Sequence, residues 1–151
     1  MNTYFKVIED IKTALNAEPF INKVSQGDIY EVDLSKKTLF PLAHLIIDSI
    51  DIQTNRIQLS LSLLLMDIVD LSKESSSDLI RGNDNELDAI NNMINVAARL
   101  QAVLSRTETY HANYELEGSL SCTPFKERFE NNLAGVSADF TINLANDMTK
   151  C

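Results

Sequence analysis

The chain has 151 residues, 44% of them apolar and 23% charged, with a net charge of −9. That length suits one domain and is enough to bury a core without metal or disulfide staples. The negative charge argues against binding nucleic acid by neutralising phosphates, which takes a basic face, and against an anionic membrane surface.

The acidity favours solubility and repels DNA, as suits a protein that sits near DNA without gripping it. No run reaches the roughly 18 apolar residues of a spanning helix. Glu9, Asp10 and Lys12 stand where a secretory signal would be apolar. Cys122 and Cys151 make no disulfide framework. Both are read as free thiols of a chain made in a reducing cytoplasm.

In chain order, Tyr4, Val7, Ile8, Ile11 and Leu15 follow the spacing of an amphipathic helix. It ends before Pro19, because proline disfavours the α conformation in the residue ahead of it. Residues 24–41 read as irregular or briefly extended, with a turn at Gly27-Asp28. From Pro41, "LAHLIIDSIDI" is a strand with apolar residues on both sides. "QTN" is a turn, and residues 56–69 return as a second strand to make a hairpin.

In that second strand Ile57, Leu59, Leu61, Leu63 and Leu65 alternate with Gln58, Ser60 and Ser62. The leucine face is expected to meet helices, and the Gln/Ser face to be polar. Leu64, Met66, Ile68 and Val69 then put apolar residues on the otherwise polar side. Such a patch needs a cover, either the 71–86 loop or a neighbouring subunit. Asp67 breaks the pattern and is the expected place for a β-bulge.

"DLSKESSSDLIRGND", residues 70–84, is serine-rich and polar and reads as a long loop. Leu71, Leu79 and Ile80 give it an apolar side, so it is expected to be an arm, mobile in the free subunit and ordered against a neighbour. With Leu64, Met66, Ile68 and Val69 these residues form the candidate subunit interface. Asn83 and Glu86 then have the spacing of a capping box.

The helix that follows has Leu87, Ile90, Met93, Ile94, Val96, Ala97, Leu100, Val103 and Leu104 over more than half its circumference. Asp88, Asn92, Asn95, Arg99 and Arg106 are left as a solvated strip. A helix packed on one sheet needs only about a 100° apolar stripe. This one is therefore expected to touch a second element, most simply the first helix. "YELEGSLSC" and "VSADFTINL" alternate cleanly and predict two further strands of an antiparallel sheet. The fold expected is one two-layer α+β domain in the order αββαββ, with about four strands and both helices on one face.

Chemistry is hard to find. His44 and His111 have no partners at metal-ligand spacing. His44, inside an apolar strand, reads as a hydrogen-bonded core or edge histidine. Cys122 falls on the apolar side of its strand and reads as a buried thiol. "NDNELD" at 83–88 lacks the glycine and the bidentate glutamate of a calcium loop. Asp67 and Asp70 are paired carboxylates with nothing around them to complete an acid/base site. The four glycines are scattered and make no phosphate loop. No cofactor is implied, and the rival expectation, an enzyme or ligand-binding domain, would need a deep pocket lined by Asp67, Asp70 and His44.

Four segments together carry a resemblance: "KTLFPLAHLII" at 37–47, "LLMDIVD" at 64–70, "NELDAINNMINVAARL" at 85–100 and "PFKERFENNLAGVSADFTINLANDMTKC" at 124–151. The chain resembles a small virion protein of crAss-like and related tailed phages of Bacteroidetes. The most specific matches are Phe125, Glu127, Arg128, Phe129, Gly135, Asn146, Asp147 and Cys151. The order of elements is also similar to that of phage neck and tail-terminator or tail-completion proteins. The resemblance implies a non-catalytic structural subunit of a ring between portal and tail, located in the virion and made in the host cytoplasm. Its partners would be copies of itself, with twelve favoured over six, and adjacent portal, neck or tail proteins. An assembly factor absent from mature particles is the further alternative.

Overall fold

The computed structural model describes residues 3–27, 40–69, 86–105, 114–126 and 133–145. The first helix, α1 (Thr3–Asn16), buries Val7, Ile11 and Leu15 completely and is over before Pro19. After it comes a four-residue strand, β1 (Lys23–Gln26). Then follow the hairpin β2 (Leu42–Ile52) and β3 (Arg56–Ile68), the helix α2 (Glu86–Leu104), and the strands β4 (Tyr114–Lys126) and β5 (Leu133–Ala145).

The five strands make one sheet in the order β1-β2-β3-β5-β4. The four long strands are antiparallel to their neighbours, whereas β1 pairs parallel to β2, from Lys23↔Leu42 to Gln26↔Leu45. The expected order αββαββ with about four antiparallel strands is corrected to αβββαββ and a mixed five-stranded sheet. β1 escapes a reading of the sequence because four residues with Val24 as their lone aliphatic side chain carry no period. Its partner β2 recruits it. Asn22 and Lys23 both donate their N–H to the Pro41 carbonyl, at 2.8 and 3.3 Å.

One face of the sheet carries Leu59, Leu61, Leu63 and Leu65 from β3 and Val136, Ala138, Phe140, Ile142 and Leu144 from β5. α1 and α2 cover it with Val7, Ile11, Leu15, Met93, Val96, Ala97, Leu100 and Leu104. Each buried Val, Leu, Ile, Phe or Met side chain among them contributes roughly 1.5–3 kcal/mol relative to exposure. α2 does contact α1, as its breadth of apolar surface requires. Leu87 and Ile94, however, are 43% and 46% exposed, so the two helices do not absorb the whole apolar arc. Arg99, expected in the solvated strip, is exposed there, and it also donates from Nε to both Glu18 oxygens (2.8 and 2.7 Å) and lies 5.7 Å above the Phe20 ring. That fork ties α2 to the α1–β1 turn, though at an exposed site such a pair adds at most about 1 kcal/mol.

Two register shifts bend the sheet. One lies in β2 between Ile47 and Ser49, the other in β4 between Glu117 and Ser121. Gly118 sits in the β4 irregularity with φ +68°, a backbone conformation glycine adopts freely. The N–H of Leu120 there donates to Gln101 Oε1 of α2 at 3.1 Å. Asp67 marks no bulge: β3 stays in register with β5 through Asp67↔Ala134 to Ile68↔Leu133. Its carboxylate accepts the Ile68 N–H at 2.8 Å.

Candidate functional site

The sheet's second face changes character along its length. Toward the end where β2 starts, Met66, Leu42, Leu133, Phe40 and Phe125 form a second buried cluster, with Leu64 and Ile68 half-buried against it. Met66 is fully buried inside its own chain. Val69 does not share this face. It packs with Ala89, Ala134 and Ile90, under the start of α2. The candidate interface residues Leu64, Met66, Ile68 and Val69 are thus split between two places, and their cover comes from Phe40, Phe125 and α2. Leu71, Leu79 and Ile80, with the whole 70–84 arm, lie outside the described residues.

Of the motif positions that carry the resemblance, Phe125 and Gly135 are described, and they stand opposite each other in the β4–β5 ladder. Glu127, Arg128, Phe129, Asn146, Asp147 and Cys151 lie outside the described residues. So do His111, Asp70, Asn83 and Arg106, and nothing is described of the Glu86 side chain.

Toward the β2–β3 turn the same face is polar and acidic. Register places Asp51 opposite Gln58, Asp139 opposite Ser62, Glu115 opposite Asn143 and Glu117 opposite Thr141. Ser62 Oγ lies 2.5 Å from Asp48 Oδ2 and 2.7 Å from Asp139 Oδ1. One hydroxyl proton serves two carboxylates, so only one bond is made at a time. Alongside, Gln58 Nε2 and Asn143 Nδ2 both donate to Glu117 Oε2, at 2.5 and 3.3 Å. Asn143 Oδ1 is buried without a partner among the described residues. Five carboxylates therefore share this half of the face with one described cation, Arg56, whose Nε donates to Gln53, while Lys23 of β1 stands on the other half.

His44 also projects to the second face, opposite Leu64. It is fully buried. Its Nε2 lies 2.9 Å from the Gly27 carbonyl and its Nδ1 lies 2.7 Å from Ser25 Oγ. A carbonyl only accepts, so Nε2 carries a proton and donates, and in the neutral ring Nδ1 accepts a hydrogen bond from the Ser25 hydroxyl. Nδ1 is engaged by Ser25 of β1 and Nε2 by Gly27, the residue after the strand's end. The histidine fastens the edge strand, as a hydrogen-bonded strand histidine should.

Cys122 corrects an expectation. It lies opposite Ala138, on the helix side as its alternation requires, yet it is exposed. β4 is an edge strand, and no helix cover reaches the thiol. Partial desolvation, and then the Asp139 carboxylate, raise its pKa, which leaves it a protonated and sluggish nucleophile.

A cavity of about 130 Å³ lies between α1 and the β1–β2 edge, lined by Ile8, Ile11, Lys12, Leu15, Val24, Ser25, Gln26 and Leu45. It is of the order of the engineered cavities that hold one benzene. Its lining offers no acid/base pair, and the Ser25 hydroxyl is committed to His44. Among the described residues no three of His, Cys, Asp and Glu come together to hold a metal. No described helix is long and apolar enough to cross a membrane. No protein-family model matches the sequence, and no curated protein does either.

Proposed function

We infer that this chain is a structural subunit of the head-to-tail connector of a tailed bacteriophage, assembling as a ring between portal and tail. The resemblance of the Phe125–Gly135 region and of "NDMTKC" to a crAss-like phage virion protein carries this reading. The physical support is the two-sided sheet. Helices pack on one face, while the far half of the other face presents Asp48, Asp51, Glu115, Glu117 and Asp139. A surface of that sign repels phosphates and lets DNA pass without holding it. In a ring this face would line the lumen. Subunits related by rotation would meet head to tail through two different surfaces. Twelve copies are favoured over six, matching the symmetry of an adjoining portal, with the neighbours being portal, neck or tail proteins.

The experiment is a mass-spectrometric inventory of the virion together with an electron-microscopic reconstruction. This chain should appear in the particle as a closed ring at the neck or tail. A neck and tail fully accounted for by other chains would refute the reading and favour an assembly factor. For a small ligand-binding or enzymatic domain, the expected pocket of Asp67, Asp70 and His44 gets no support from His44, which is sealed under β1.

A further inference from the structure

β2 has eleven residues, and β1 pairs only with Leu42–Leu45. Beyond that point its outer side has no strand partner among the described residues. The direction of the backbone groups follows from the ladder. The Leu45 carbonyl faces outward, accepting the Gly27 N–H at 3.1 Å, and the Gln53 N–H faces inward to the Arg56 carbonyl at 2.8 Å. Alternation along an antiparallel pair then leaves the N–H and C=O of Ile50 and Ile52 pointing away from β3. Their side chains stand on the helix face, opposite Leu59 and Ile57, and are 50% and 71% exposed. α1 reaches this end of the sheet, where Asp10 accepts from Tyr114, and Phe5 on its first turns is 67% exposed. On the opposite sheet face the same stretch carries Asp48 and Asp51.

The other sheet edge shows what a protected edge looks like. β4 has Gly118 at positive φ and Pro124, both of which discourage strand addition. Residues 49–52 have no lysine, proline or glycine, and two exposed isoleucines besides. Backbone groups without a strand partner among the described residues, apolar side chains on one side and carboxylates on the other together define what fits: an added strand of complementary pattern.

We propose that the outer edge of β2 at residues 49–52 is a strand-docking site for an extended segment of a partner protein in which apolar residues alternate with lysine or arginine. The apolar side chains lie over Ile50 and Ile52, and the cations face Asp48 and Asp51. This does not rest on the ring reading.

The test uses the full chain and a fluorescein-labelled heptapeptide, Lys-Val-Lys-Ile-Lys-Val-Lys. Anisotropy should show saturable binding that weakens with salt, and hydrogen exchange at the Ile50 and Ile52 amides should slow. The double variant Ile50→Thr/Ile52→Thr, folded by circular dichroism, should bind about tenfold more weakly, the scale of losing two apolar cross-strand contacts. Asp48→Asn/Asp51→Asn should bind more weakly and with a shallower salt dependence. Unchanged exchange at those amides, or equal binding of the version with glutamate for lysine, would overturn the proposal. So would slow exchange there in the free protein: in a monomer it means the chain covers its own edge, and with a doubled mass it gives the edge to a second copy.

Discussion

Gly135 of β5 stands opposite Phe125 of β4, and on its other side it abuts β3 so closely that a Cβ at Gly135 would collide with the Leu65 carbonyl oxygen. The obstacle is backbone in the middle of a paired sheet, so it cannot swing aside as a side chain would. Gly135→Ala should cost at least about 2 kcal/mol, as overpacking in a rigid core does. Urea denaturation of the variant measures it, and a loss below about 0.5 kcal/mol would show that β3 and β5 are spaced more widely than described.

Leu63 and Ser62 are neighbours in β3 with opposite fates. Leu63 is fully buried beneath the helices, and Ser62 lies on the acidic face between Asp48 and Asp139. Leu63→Ala should lose about 2–5 kcal/mol. Ser62→Ala removes a hydrogen bond that water replaces and should lose less than about 1 kcal/mol. The reverse ranking in chemical denaturation would place the strand one residue out of register.

Tyr114 is 2% exposed and donates its hydroxyl to Asp10 Oδ2 at 2.6 Å. Burial, and then the bond to Asp10, raise its pKa well above the ordinary 10.0. A raised phenol pKa means that folding holds the neutral form. Its contribution is complete below pH 10 and is lost as pH climbs from there toward the folded value. Wild type should therefore lose stability above pH 10 more steeply than Tyr114→Phe. Below pH 10 the variant should be weaker by about 1–2 kcal/mol, since Asp10 Oδ2 loses the phenol donor while Lys6 still holds Oδ1. Parallel stability curves for the two proteins from pH 8 to 11 would contradict this.

The chain has two cysteines, and neither is expected to be bridged. Denatured, unreduced monomer should titrate two thiols. In the native protein Cys122 should be modified by Ellman's reagent, because it is exposed, but more slowly than free cysteine at pH 7.5, because its thiolate is disfavoured. A native thiol faster than free cysteine would mean a basic neighbour that the described residues do not supply.

The elements with a long period were legible in the sequence. Val7, Ile11 and Leu15 announce α1, and the Leu59–Leu65 alternation announces β3, because burying one face imposes a repeat of 3.6 or 2 residues. The polar partner face, including Ser62 and Asp139, follows from the same parity. Tertiary structure decided what has no period. β1 exists because β2 offers it a ladder and His44 holds both Ser25 and the Gly27 carbonyl just after it. Cys122 has the parity of a core residue but the solvent exposure of an edge strand, since parity sets a side chain's face and not whether anything packs over it. The apolar half of the second face looked in sequence like a surface waiting for a partner. Phe40 and Phe125, far from it along the chain, close over Met66, because which distant side chain fills a hollow depends on where the strands bring it.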